Sequence, residues 1–208
     1  QGSDRGNARA QWTLGSMYHL GRGVEQSNVK AAANFRKAAD RGHTLAQVNL
    51  GFMYGRGLGV ERSDTKAVVY YSRAANEGNV DAQFNLGVIH QMGRAVQQSD
   101  TKAVKYYRKA AKRNHAQAQN NLGLMYYKGH GVEQCDTKAV KCFRKAADQG
   151  NAKAQYNLAI CYKNGEGVEK DLTEAVRLYR LAADQGTANA QYNLRDYPSS
   201  LSRTLYRI

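Results

Sequence analysis

Ala46-Gln47-Val48-Asn49-Leu50 returns as Ala82-Gln83-Phe84-Asn85-Leu86, Ala118-Gln119-Asn120-Asn121-Leu122, Ala154-Gln155-Tyr156-Asn157-Leu158 and Ala190-Gln191-Tyr192-Asn193-Leu194, each copy 36 residues after the last. No gap is needed anywhere. A fixed period of this length is the signature of a repeat array, in which one supersecondary unit is copied and stacked. The units run 7–42, 43–78, 79–114, 115–150 and 151–186, with 187–208 a truncated and divergent sixth.

Inside a unit, Ala46, Leu50, Met53 and Tyr54 fall at i, i+4, i+7 and i+8, which is one face of a helix. This predicts helix A. Gly55, Gly57 and Gly59 are expected to break it, because glycine tolerates the left-handed conformations of a turn, with Val60 filling the apolar gap beneath. Helix B then starts at a capping column of Ser27, Ser63, Ser99, Cys135 and Asp171. Serine and aspartate accept from the free amides of a first turn, and Asp171 with Glu174 predicts a capping box. Cys135 caps poorly, so repeat four is expected to fray there first. The helix continues through Ala67, Val68, Tyr71, Ala74 and Ala75 and closes at Gly78. The small residues Ala38, Ala74, Ala110, Ala146 and Ala182 let neighbouring helices approach closely.

A lone helix pair cannot bury its apolar face, so adjacent pairs must stack. The fold class expected is all-α: a right-handed α/α superhelix of five helix-turn-helix repeats plus a partial sixth, forming one repeat domain over residues 1–208. Two roles stay open for the tail from Arg195 to Ile208. It is either a cap, using Leu201, Leu205 and Tyr206 after the break at Pro198, or an extended arm.

Ala118, Leu122, Gly123, Tyr126, Gly129, Gly131 and Val132, followed by Asp136, Ala139, Phe143, Lys145, Ala146, Ala147 and Gly150, resemble the Sel-1-like repeat, a relative of the tetratricopeptide repeat. The resemblance covers all five units. Four positions depart from it: His90 replaces the tyrosine, Ala95 a loop glycine, Asn114 the closing glycine and Ala159 the helix glycine. Ala95 is expected only to stiffen its turn, and Asn114 to tolerate left-handed geometry. The resemblance implies adaptor or scaffold proteins that bind partners and carry no catalytic residues. Tetratricopeptide domains that grip a C-terminal carboxylate have asparagine after the helix-A glycine. Ser16, Phe52, Val88, Leu124 and Ile160 stand there instead, so that mode is not expected.

Composition sets the outer bounds. With 208 residues and 42% hydrophobic content the chain can fold around a core. Its apolar runs are far shorter than the roughly 20 residues that span a bilayer. The chain begins at Gln1, and Asp4-Arg5-Gly6 echoes Asp40-Arg41-Gly42, so a longer parent array is expected. Cys135, Cys142 and Cys161 form no paired framework. The first two, seven apart on a helix, lie roughly 10 Å apart at ~1.5 Å per residue, beyond disulfide reach. A reducing compartment is favoured.

Comparison of the five copies separates fixed columns from free ones. The free columns of helix A contain Arg9, Leu45, Asp81, Gln117 and Lys153; Trp12, Val48, Phe84, Asn120 and Tyr156; Ser16, Phe52, Val88, Leu124 and Ile160; and His19, Gly55, Gln91, Tyr127 and Lys163. They share one stripe of the helix, which lines the concave wall in related solenoids. Trp12, Phe52, Phe84, Val88, Leu124, Tyr127, Tyr156, Ile160 and Lys163 are therefore the candidate partner-binding residues. They suit a peptide or amphipathic helix lying in a groove. The bland alternative is packing between A helices. Gln47, Gln83, Gln119, Gln155 and Gln191, with Asn49, Asn85, Asn121 and Asn157, would either clamp a partner's backbone or satisfy buried backbone groups; the second is the commoner use of such a ladder.

The formal net charge is +14, and its excess is largest in repeats one and three. Lys102, Lys105, Arg108, Lys109, Lys138, Lys141, Arg144 and Lys145 on helices B are expected to form a basic ridge. It would be a solvated face, a dock for an acidic protein or anionic membrane surface, or a phosphate contact as part of a nucleic-acid-containing complex. No catalytic set is readable. His19, His43, His90, His115 and His130 are scattered over the columns without metal-ligand spacing. The Gly-x-Gly turns join helices, not strand to helix as dinucleotide loops do. Neither a metal nor a cofactor is expected.

Overall fold

The computed structural model describes residues 2–195 and 197. Among them are eleven helices and no strand, an all-α repeat fold. Contacts group into two compact units that meet between Tyr106 and Tyr107, inside the third repeat.

In the first unit the A helices are α1 (Gly2–Leu20), α3 (Thr44–Arg56) and α5 (Val80–Met92). The B helices are α2 (Asn28–Asp40) and α4 (Asp64–Asn76), followed by the start of α6 (Asp100–Lys112). α1 packs on α2, α2 on α3, α3 on α4 and α4 on α5. Ala31, Phe35, Ala38, Ala46, Leu50, Met53, Tyr71 and Ala74 make the centre of its core, with Val60 packed against it. The second unit repeats the plan with α7 (Ala116–Lys128), α8 (Asp136–Ala147), α9 (Ala152–Asn164), α10 (Leu172–Asp184) and the short α11 (Ala188–Leu194). Its core gathers Ala139, Phe143, Ala146, Ala154, Leu158 and Tyr179, with Tyr197 packed against it. Pro198, Leu201, Leu205 and Tyr206 lie outside the described residues. Cys135, Cys142 and Cys161 are free thiols.

The alanine columns are completely buried at Ala38, Ala74, Ala110, Ala146 and Ala182. Glycine makes an even closer approach. A Cβ on Gly15 would lie 2.7 Å from Phe35 Cδ1, and one on Gly123 2.6 Å from Phe143 Cε1. α1 and α7 thus rest their backbones on the aromatic ring of their own B helices, and Gly51 of α3 does the same against Tyr71, at 3.0 Å.

The turn differs from the expectation at one residue. α3 continues through Gly55 to Arg56. The first left-handed residue is Gly57, at φ +69°, and its amide donates to the Met53 carbonyl. Gly55 is therefore a helical residue and no part of the break, because the capping bond back to Met53 is made by residue 57. Gly59, at φ +65°, is pressed against the first turn of α2, where a Cβ would stand 2.2 Å from the Asn28 carbonyl oxygen. Asn114 takes φ +65°, as expected, while Ala95 is held at φ +54°. The alanine thus does more than stiffen its turn, since left-handed geometry costs a Cβ-bearing residue about 1–2 kcal/mol.

Helix B is capped as read at Ser27, Ser63, Ser99 and Asp171, whose side chains accept from the amides of Lys30, Lys66, Lys102 and Glu174. Cys135 makes no capping bond. The capping box at Asp171 is only half formed. Its backbone amide is already donated to the Tyr162 carbonyl at 3.0 Å, and the Glu174 carboxylate instead binds the Arg177 guanidinium at 2.7 Å. The caps of helix A went unread in the sequence. Asn79 and Asn151 accept from Ala82 and Ala154, and the imidazoles of His43 and His115 replace them, with Nδ1 accepting from Ala46 and Ala118 at 3.2 and 3.1 Å.

Two outcomes follow from the caps. Cys135→Ser supplies the missing acceptor and should stabilise the chain by about 0.5–1 kcal/mol in chemical denaturation. The His43 imidazole is held below its usual pKa of 6.5, chiefly by burial, and only its neutral form can accept from Ala46. Because the folded value is the lower one, stability is fully present above 6.5 and is lost as pH falls through the depressed value. His43→Asn, which copies the other repeats, should flatten that acid loss in melts recorded across the range. His90 is also lowered, first by burial, and should leave a residual slope.

Candidate protein-binding face

Fixed polar columns are spent inside the fold. Gln83, Gln119, Gln155 and Gln191 donate to the carbonyls of Ala75, Ala111, Ala147 and Ala183, which end the B helices. Gln47 reaches the Glu77 carboxylate instead. Four of the five glutamines, buried at Gln83, Gln119 and Gln155 and exposed at Gln191, therefore satisfy helix-end backbone, the second of the two uses considered for the ladder. Asn157 donates to the Asn120 side chain at 2.9 Å, and Asn85 bonds back to the Asp81 carbonyl.

The free columns face outward to different degrees. In the first unit Phe52 is 42% exposed, with the Arg56 guanidinium 5.9 Å from its ring centroid. Trp12, Phe84 and Val88 are half-buried, and Trp12 stacks on the His43 ring at 5.3 Å. Phe52 and Val88 share one open cleft of about 520 Å³. Ile89, Met92 and Tyr71 complete its apolar lining, and Arg56, Arg62 and Arg94 also line it. Met92 is 58% exposed. Burial pushes the Tyr71 phenol up to about 12, so it is un-ionised. Neither Met92 nor the arginines were read from the sequence, although a signal existed: Leu20, Arg56, Met92, Lys128 and Asn164 form a further freely varying column.

In the second unit Leu124, Tyr127, Tyr156 and Ile160 are half-buried against the core. Tyr156 tilts on Tyr179 at 5.7 Å, and the Lys163 ammonium stands 5.9 Å from the Tyr197 ring centroid. Tyr127 donates its hydroxyl to the Glu166 carboxylate at 2.8 Å. That bond to an anion, followed by burial, pushes its pKa up to about 12.

All eight ridge residues are exposed, yet three of them hold tyrosines. Arg108 donates to the Tyr126 hydroxyl at 3.2 Å and Arg144 to the Tyr162 hydroxyl at 2.7 Å. Lys138 lies 5.6 Å over the Tyr126 ring. The first unit does the same, with Arg36 on Tyr54 at 2.7 Å and Lys66 over that ring at 5.2 Å. Tyr54 and Tyr126 are thus each gripped by an arginine from the preceding repeat and a lysine from their own, whereas Arg144 alone both bonds Tyr162 and lies over its ring at 5.8 Å. Lys141, Arg144 and Lys145 border an open cleft with Thr137, Val140 and Val168. Lys102, Lys105 and Lys109 belong to α6. No group of three metal-ligating side chains converges among the described residues, and no described helix is long and apolar enough to cross a membrane.

The tyrosine grip makes Arg144→Met a stability variant. It should lower stability by about 0.5–1 kcal/mol, through loss of one charged hydrogen bond and one cation–π contact at an exposed site, as read by thermal melting.

Comparison with known proteins agrees with the architecture. The family model for the Sel1 repeat matches residues 8–43, 44–79, 80–115, 116–151 and 152–187. Among solved structures, the protective antigen c5321 of uropathogenic Escherichia coli, which displays an SLR fold, is 35% identical with a TM-score of 0.87. The match covers 92% of this chain and 41% of that one, so the chain spans less than half of its relative. A Sel1 repeat protein from Oxalobacter formigenes is 32% identical with a TM-score of 0.86, over 91% of this chain and 76% of that one. An immunity protein of Pseudomonas aeruginosa, 23% identical over 94% of this chain and 74% of that one, shares the fold at a TM-score of 0.60. No curated protein matches the sequence.

Proposed function

The chain belongs to the Sel1 repeat family, and from that premise we propose that it is a non-catalytic adaptor or scaffold holding a segment of another protein on the outward stripe of its A helices. Sel1 repeats are in general protein-interaction modules without catalysis. The observation that carries the finer reading is the contrast between columns. Glycine, alanine and glutamine columns are locked into backbone contacts, whereas the stripe holding Trp12, Phe52, Phe84, Val88, Leu124, Tyr127, Tyr156, Ile160 and Lys163 changes from copy to copy and stays at least partly open to solvent. Large apolar side chains that vary between repeats while remaining partly open to solvent suit recognition.

Lysines on the B helices serve this reading as steering charge for an acidic partner. The competing use, phosphate contact within a nucleic-acid-containing complex, is weakened because Arg108, Lys138 and Arg144 are engaged with tyrosines.

In affinity capture with the parent protein as bait, Phe84→Ala combined with Tyr156→Ala should reduce recovery of partners several-fold while helicity is unchanged. Undiminished recovery would remove the stripe from consideration. Lys105→Glu with Lys141→Glu, which spares the tyrosine-holding arginines, should slow association and leave dissociation nearly unaltered. Salt-sensitive RNA binding that this pair abolishes would favour the nucleic-acid reading instead.

A further inference from the structure

The cleft of the first unit has a chemistry its counterpart in the second lacks. Residues 72 positions apart correspond, so Gly55 matches Tyr127 and Arg94 matches Glu166. In the second unit those two side chains bond to each other at 2.8 Å. In the first, one is glycine and the other an arginine, and the cleft is open.

Gly55 has no conformational reason to be glycine. It is helical, and a Cβ there would meet only Ala67 Cβ at 3.8 Å, an ordinary contact. Glycine within a helix is a liability that alanine would remove. What its bareness provides is room above Phe52 and Val88.

The charge around that room has one sign in excess. Arg56, Arg62 and Arg94 line the cleft with Asp64 as the sole acid, and Asp64 is 3.5 Å from Arg62. The matching positions in the second unit are Lys128, Gln134 and Glu166, so the three arginines do not follow from the repeat pattern. Guanidinium groups pair with carboxylates through two parallel N–H···O bonds. Val88, Ile89 and the exposed Met92 offer an aliphatic, adaptable surface for one bulky apolar side chain.

We propose that this cleft, taking the A-helix stripe as the interaction face, binds an acidic segment of a partner protein: one large apolar side chain over Phe52 and Val88, flanked by carboxylates on Arg56 and Arg94. Its aliphatic floor favours such a side chain over a nucleic-acid base, which needs flat stacking partners.

The test uses the full chain and a defined probe, an array of acetylated decapeptides with central Phe, Leu or Met flanked by glutamates. Matched arrays carry glutamine or lysine in place of glutamate, and an oligouridylate of similar length is included. Glutamate peptides should bind at least tenfold tighter than glutamine ones, with affinity falling as salt rises. Gly55→Tyr, which installs the side chain the second unit already accommodates, should abolish that binding while leaving the melting temperature intact. Gly55→Ala should raise the melting temperature and keep the peptides bound. Arg56→Glu with Arg94→Glu should switch preference to the lysine array.

Equal retention of glutamate and glutamine peptides, absence of peptide binding, undiminished binding by Gly55→Tyr, or tighter binding of the oligonucleotide would each overturn the proposal. Loss of partner capture in Phe84→Ala/Tyr156→Ala alongside full capture in Gly55→Tyr would overturn it while sparing the broader reading of the stripe.

Discussion

The packing of an A-helix backbone directly onto the aromatic ring of its B helix governs the rest of the molecule. At Gly15 and Gly123 there is no room even for a methyl group beside Phe35 and Phe143 as they stand. With the buried alanine columns, this close approach brings enough apolar surface together for short helices of about 13 residues to be stable, which in isolation would be marginal. Repeat five shows how the constraint relaxes: Ala159 occupies the glycine column, fully buried, in the same core as Tyr179. The whole cost of the fold falls on one side of each helix, leaving the other side's residues free to differ between repeats.

Charge in this chain has two uses that composition alone merges. The arginine and lysine ladders of the B helices partly stitch one repeat to the next, with a guanidinium on the hydroxyls of Tyr54, Tyr126 and Tyr162 and an ammonium over the rings of Tyr54 and Tyr126. A net charge of +14 therefore overstates the charge available to an outside partner. The arginines around Phe52 are of the other kind, since Arg56 and Arg62 sit in columns where the other repeats carry no arginine and Arg94 shares its column only with Arg22.

Divergence within one scaffold changes the chemistry of corresponding places in the two units. Tyr127 and Glu166 close one cleft with their own hydrogen bond, while Gly55 and Arg94 leave the corresponding one open. The helix-turn-helix plan is common to both, so the difference is carried by side chains.

The sequence by itself determined the period, the helix pair, the alanine columns and the serine caps, because each follows from spacing along one helix or from a residue beside the amide it caps. Tertiary structure alone decided the rest. Gly55 is helical while Gly57 turns, although both are glycine, because the helix runs one residue beyond Gly55 before its capping bond. Ala95 adopts a left-handed conformation, φ +54°, at the position where the other four repeats carry glycine. His43 and His115 cap helices as asparagine does, a role visible only when the ring nitrogen is placed. The arginine-lined cleft joins residues from α3, α4, α5 and the turns after α3 and α5, which are up to 42 positions apart. Which side chains meet across a stack depends on how one repeat is set against the next, and no local pattern encodes that.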